Sequence, residues 1–303
     1  MNRKPLTAIT AAHRETYRRD GVVLVEGAFD PEWIELLQNG WERVRRLSPE
    51  ETYLLPESFL AQDDALREEI AATRSEHEAS RKLYTEQAEG FVRCKYMRWW
   101  APEFRKFALE SPAAEIIGRV IGASEVRFFI DAIFMKEANC DARTYWHADQ
   151  PAWPVTGEMV PTMWMALYPV SAELSSLEYI PGSHGKPDHS WPNTFNAKKI
   201  GRPADRSEFF DWETRRSDPD VRFLAFDMQP GDAVILHPAM WHGGGANLHP
   251  SQPRVALSTR WFGDDVRWDP HPECINIPGM PMAAMERGQP VTQDDIFPVV
   301  WHD

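Results

Sequence analysis

From Val126 onward the chain breaks into short runs of β-branched, aromatic and aliphatic residues separated by glycine, proline, asparagine and aspartate. This texture constrains the fold more than any other feature. The runs cover residues 126–135, 162–168, 177–180, 221–226, 233–236 and 255–261, and many short strands at such spacing predict a sandwich or barrel. The first third reads differently. A strand-like run, residues 22–25, follows the turn signal Asp20-Gly21, and Asp30-Pro31 then predicts an N-cap with proline in the first helical turn. After it, Trp33, Leu37, Trp41 and Val44 recur at helical spacing and make one apolar stripe. The expected class is α+β, an N-terminal helical layer around a C-terminal β core. One domain over residues 1–303 accommodates it, since single barrels and sandwiches often reach this length.

Charge narrows the partners. The formal net charge is −13, and residues 50–90 hold eleven acidic and four basic side chains, which predicts a solvated helical region. General nucleic-acid binding needs a basic footprint, so nucleic acid is excluded as an expected partner. No apolar run approaches the ~18–20 residues of a membrane span, and residues 1–12 lack the continuous apolar stretch of a signal peptide. Cys94, Cys140 and Cys274 are scattered and form no CxxC pair. They read as reduced thiols of a cytoplasmic protein. Residues 190–220 are polar, with Pro192, Pro203 and Pro219 among the aromatics Trp191, Phe209, Phe210 and Trp212; so long an irregular insertion is expected to act as a lid. Oligomeric state has no signature in the sequence.

The chemistry centres on two segments. In Tyr145-Trp146-His147-Ala148-Asp149-Gln150-Pro151, a strand would place His147 and Asp149 on one face, able to share a metal. Alone, a His-x-Asp match is expected by chance roughly once in such a chain. The second segment adds weight: the strand 233–236, then His237-Pro238, then His242 ahead of Gly243-Gly244-Gly245-Ala246-Asn247, with Arg254 opening the next strand. The glycines there predict a bend in which the backbone can approach a ligand closely. Two imidazoles and a carboxylate on one face of Fe(II) leave three positions open, two for a 2-oxo acid and one for O2. An arginine can then grip the far carboxylate of 2-oxoglutarate with two parallel hydrogen bonds. His237 rivals His242 as the distal ligand, and the glycine run after His242 favours the latter. Arg260 rivals Arg254, but six residues of strand put them ~20 Å apart, too far for both to hold one short diacid.

In order and spacing these segments resemble the phytanoyl-CoA dioxygenase family of Fe(II)/2-oxoglutarate oxygenases, from about Tyr17 to Asp264. His147-Ala148-Asp149-Gln150-Pro151-Ala152-Trp153-Pro154 resembles the family's first metal motif. Trp164-Met165-Ala166-Leu167 and Tyr179-Ile180-Pro181-Gly182-Ser183-His184 resemble its next block, and His242 to Asn247 with Arg254 resembles its last. The chain departs from the family in having Ala148 where glutamine is usual, and Glu173-Leu174-Ser175 where Glu-Asn-Gly is common. The resemblance implies a double-stranded β-helix (jelly-roll) core with flanking helices, and His147, Asp149 and His242 as iron ligands. It also implies Arg254 on the distal carboxylate of 2-oxoglutarate and Trp164 lining that pocket. The implied reaction is hydroxylation of a C–H bond of a small organic molecule, with succinate and CO2 as co-products. Retention of Asp149 argues against the related halogenases, in which chloride takes the carboxylate's place. A cupin-like metalloenzyme without 2-oxoglutarate and a non-catalytic jelly-roll binding module are the alternatives. His184, His189, His249 and His271 are expected in loops. Trp146, Trp153, Trp164, Trp241, Trp261 and Trp268 are expected chiefly as packing, and Arg98, Arg143 and Arg260 as surface ion pairs.

Overall fold

A computed structural model describes residues 1–46, 90–171, 174–185, 212–272, 274, 275, 277, 280, 283 and 285–303. The acidic region expected at 50–90 falls outside these except for Gly90. So do residues 190–211 of the expected lid; residues 212–220 form a short 3-10 turn, Trp212–Arg215, and irregular chain.

Helix α1 (Ala11–Asp20) stops at Gly21, whose φ of +73° is the left-handed conformation and whose N–H donates to the Tyr17 carbonyl. Strand β1 (Val22–Val25) follows. Helix α2 (Pro31–Val44) begins as its sequence predicts: Asp30 accepts a hydrogen bond from the Glu32 amide at 2.9 Å, and Trp33, Ile34, Leu37, Trp41 and Val44 are buried along one stripe. After β2 (Phe91–Lys95) come three further helices, α3 (Met97–Trp100), α4 (Pro102–Glu110) and α5 (Ala113–Ile121). The remaining strands are β3 (Glu125–Lys136), β4 (Thr144–His147), β5 (Val155–Thr156), β6 (Thr162–Ala166) and β7 (Leu177–Tyr179). They continue with β8 (Leu224–Ala225), β9 (Ala233–Leu236), β10 (His242–Gly244), β11 (Arg254–Phe262), β12 (Arg267–Trp268) and β13 (Val299–His302). The run expected at 221–226 is thus a strand only over two residues, and that at 162–168 ends at Ala166.

The strands make two antiparallel sheets. The larger runs β1-β9-β6-β11-β3-β13, with β2 also on β3; the smaller runs β4-β10-β7-β8, and β5 pairs with β12 as a separate ribbon. This is the expected double-stranded β-helix with flanking helices. Every residue of β11 is buried because both faces of its sheet are covered. On the outer face Val255, Leu257, Ile133, Met135, Met163 and Met165 pack with Trp33, Leu37, Phe104, Phe107, Ile116 and Ile117 of the helices. On the inner face Val22, Trp164, Ala166, Val234, Leu236 and Ala256 meet Leu177 and Tyr179 of the smaller sheet. The period of two along β11 therefore sends Val255 and Leu257 to the helices, and Arg254, Ala256, Ser258 and Arg260 into the space between the sheets.

Candidate metal centre and anion pocket

His147 is the last residue of β4, and His242 the first of β10. The two are direct partners in the antiparallel register, with ring centroids 4.2 Å apart. The glycine-rich stretch is thus a strand rather than a bend. A side chain at Gly243 would press on the Thr144 carbonyl at 3.1 Å and one at Gly244 on Leu177 at 3.2 Å, so the glycines let β10 fit between β4 and β7. Asp149 arrives differently from expectation. β4 ends at His147, and Asp149 has helical backbone angles (φ −75°, ψ −40°) at the entry to the short turn Gln150–Ala152. Leaving the strand, not strand alternation, brings its carboxylate back beside His147.

One donor atom from each of His147, Asp149 and His242 lies within 4.8 Å of the others. The hydrogen bonds show which atoms are free. Nδ1 of His147 donates to the Tyr145 carbonyl at 2.7 Å, and Nδ1 of His242 donates to the Met240 carbonyl at 3.0 Å. A carbonyl only accepts, so both protons sit on Nδ1 and both Nε2 atoms present lone pairs. His147 Nε2 is 3.6 Å from Asp149 Oδ1. Two imidazole lone pairs and a carboxylate oxygen facing one another, with ring orientations locked by backbone carbonyls, fit a divalent transition metal. Burial, and then the neighbouring His147, pushes His242 down to about 4. Burial opposes ionisation of Asp149, but the Arg260 guanidinium, helped by the two histidines, holds its carboxyl well below the usual range.

His147 and His242 open onto a cavity between the sheets, with Phe134, Trp164, Leu177 and Leu236 as apolar walls. β11 supplies Arg254, Ser258 and Arg260 along it. Arg254 is fully buried; its Nη1 donates to the Phe134 carbonyl at 3.3 Å, its Nε has no partner among the described residues, and burial lowers it to about 10. Directly opposite in the register lies Lys136, also fully buried, which donates to the Gly245 carbonyl at 2.5 Å and to Ser175 Oγ at 3.2 Å. Burial, and then the charge of Arg254, pushes the Lys136 ammonium well below its ordinary value. Among the described residues neither cation forms an ion pair with a carboxylate. Two buried basic side chains side by side, with no acid beside them among the described residues, would favour an anion there. Lys136 escaped the sequence reading because a lysine ending a strand looks solvated; only continuing the inner-face alternation from Phe134 would have flagged it.

Arg260 stands at the metal end of the cavity, not the far end, with Nη2 3.3 Å from Asp149 Oδ2. Arg260 and Arg98 are buried, contrary to the expected surface ion pairs, whereas Arg143 is exposed. The Arg98 guanidinium lies 4.1 Å over the Trp99 ring and donates to the Ile296 carbonyl. His237 is outside the cluster. The Ala239 amide donates to its Nδ1 at 3.2 Å and its ring packs on His184 at 5.0 Å. Of the six tryptophans near the motifs, all buried, Trp164 alone lines the cavity.

The family model of phytanoyl-CoA dioxygenase (PhyH) matches residues 17–256. Among curated proteins none matches this sequence. Among solved structures, the non-heme alpha-ketoglutarate-dependent carbocyclase SnoK from nogalamycin biosynthesis is similar with a TM-score of 0.65 at 19% identity, over 99% of this chain and 100% of that one. The epimerase SnoN of the same biosynthesis gives 0.62 at 20% identity over 96% and 98%. EctD from S. alaskensis, with 2-oxoglutarate and 5-hydroxyectoine, gives 0.59 at 18% over 96% and 92%. At these identities the likeness is one of fold.

Proposed function

The chain belongs to the phytanoyl-CoA dioxygenase family, and from that premise we propose that it is a non-haem Fe(II)- and 2-oxoglutarate-dependent oxygenase that hydroxylates a C–H bond of a small organic molecule. One observation carries the reading: His147, Asp149 and His242 converge at one end of a cavity that the buried Arg254 also lines, with the buried Lys136 its partner on the neighbouring strand. The similar structures support it, since SnoN is described with Fe3+ and alpha-ketoglutarate and EctD with 2-oxoglutarate.

In this reading His147 Nε2, His242 Nε2 and Asp149 hold ferrous iron. Bound there, iron would couple decarboxylation of 2-oxoglutarate to succinate and CO2 with oxidation of the substrate by O2. The protein's part is placement. Arg254 and Lys136 bind the far carboxylate, where the fork of the guanidinium matches the two oxygens. Trp164, Phe134, Leu177 and Leu236 enclose the carbon chain and exclude water, which strengthens both charge interactions. The backbone carbonyls of Tyr145 and Met240 keep each imidazole in the tautomer that donates a lone pair.

The test is anaerobic. Ferrous iron and 2-oxoglutarate should give a visible charge-transfer band with the wild-type protein and none with His147→Ala. A colourless wild-type mixture that still binds 2-oxoglutarate refutes the assignment. Turnover that consumes oxygen but releases no succinate would transfer the protein to the cupin-like alternative.

A further inference from the structure

The two oxygens of Asp149 have different surroundings. Oδ1 faces His147, 3.6 Å from its Nε2. Oδ2 is turned into the protein, where Thr162 Oγ1 donates to it at 2.9 Å and Arg260 Nη2 at 3.3 Å. Thr162 on β6 and Arg260 on β11 are direct partners in the sheet register, both on the inner face and both buried. Arg260 is itself held by Nη1 donating to the Ser258 carbonyl at 3.2 Å. The donors to Oδ2 thus stand on two central strands of the larger sheet, while Asp149 sits at the start of a turn after β4.

We propose that Thr162 and Arg260 are positioning residues that confine Asp149 to a one-oxygen bond with the metal, retaining Oδ2 and presenting Oδ1 alone to the ion held by His147 and His242. This rests on the reading of the site as a metal centre. A carboxylate chelating through both oxygens would have to surrender at least one of these buried hydrogen bonds, leaving a hydroxyl or a guanidinium N–H unpartnered. The consequence is a coordination number. With Asp149 contributing one oxygen, the protein fills three of six positions, and three stay open for a two-point cosubstrate and O2. With two oxygens, one of those positions closes. Arg260, which sequence spacing makes a rival of Arg254 for the cosubstrate, acts instead on the ligand carboxylate of Asp149, at the metal end of the cavity.

Mn(II) is the probe, added to the full-length protein stripped with chelator. In a crystal structure of the Mn(II) protein, Oδ1 alone should bond the ion, with Oδ2 still on Thr162 and Arg260. In Thr162→Val/Arg260→Met both oxygens should bond it. In solution, counting free Mn(II) by EPR, Thr162→Val should bind about tenfold more weakly than wild type and Thr162→Ser, which keeps the hydroxyl, within about twofold. Chelation by both oxygens in the wild type, release of Oδ2 from Thr162 and Arg260 on binding, or equal affinities for Thr162→Val and wild type would each overturn the inference while leaving the metal centre intact. Mn(II) that ignores His147 and His242 would remove the centre itself.

Discussion

In the proposed function Lys136 and Arg254 are a liability for the empty fold and would be an asset for a bound diacid, and this tension can be measured residue by residue. Two like charges without a buried acid repel, and each forgoes hydration. Lys136→Met keeps the length of the side chain and removes the charge, so the metal-free, ligand-free protein should gain about 1 kcal/mol in chemical unfolding. The same variant should need at least tenfold more 2-oxoglutarate, since hydrogen bonds to charged groups contribute ~1.5–3 kcal/mol. A variant that loses stability and keeps its cosubstrate affinity would make Lys136 a structural residue. Arg254→Ala should raise the 2-oxoglutarate requirement more, by about 30-fold for ~2 kcal/mol, with Fe(II) affinity little changed; an unchanged requirement would remove Arg254 from the pocket. At this scale the candidate metal ligands were legible in the sequence because their chemistry is local: a histidine and an aspartate two apart, then a histidine before glycines. Lys136 and Thr162 were not, because their meaning comes from the strand opposite. Thr162 acquires a role through Arg260 across the sheet, nearly a hundred residues later in the chain.

Among the elements, those with their own stop and start signals were readable. α2 follows from Asp30-Pro31 and its apolar stripe, and β1 from the turn signal Asp20-Gly21 ahead of it. β13 carries no such signal. Its short Val299–His302 strand pairs with the start of β3, and it is also clamped from the helical side: a side-chain carbon on Gly118 of α5 would lie 2.2 Å from Trp301 Cζ3. Gly118→Ala should therefore destabilise by about 1–3 kcal/mol through overpacking, although alanine is the better helix former by about 1 kcal/mol. Thermal unfolding checks the sign, and Gly118→Ala/Trp301→Leu should recover most of the loss. A stabilised single variant would show that Trp301 moves aside at little cost and that the helix is not clamped to β13. The glycines of β10 illustrate the opposite misreading. Glycine usually marks a bend in a sequence, but here it marks a strand too tightly flanked by Thr144, Trp146 and Leu177 to carry side chains.

For the molecule as a whole, the charge of −13 describes the outside, while the inner face of the large sheet buries Lys136, Arg254 and Arg260. Net acidity excluded nucleic acid as an expected partner, yet it had no bearing on an anion pocket, because local fields prevail in a low-dielectric interior. Burial has a second global consequence, in acid. It pushes His242 down to about 4 and His237 to about 3. In the metal-free protein the unfolded chain takes up protons at both positions near pH 6.5, which the folded state refuses until pH 4 or below. Stability contributed by these neutral imidazoles is thus complete above pH 6.5 and is lost as the pH falls from there toward 4, by up to about 1.4 kcal/mol per pH unit for each histidine. Chemical unfolding at pH 7, 6, 5 and 4.5 should show the decline. His237→Gln, which can still accept the Ala239 amide, should flatten it by about one proton. The competing possibility is structural: His237 Nε2 lies 3.5 Å from a carboxylate oxygen of Glu158, whose side chain is 87% exposed. Were that pair to hold a proton on His237 in the folded state, the slope would be the same in wild type and His237→Gln. Because Glu158 is in water and the imidazole is not, the carboxylate's attraction is screened while the desolvation of the ring is undiminished. The neutral ring and the steeper wild-type slope are therefore the expected result.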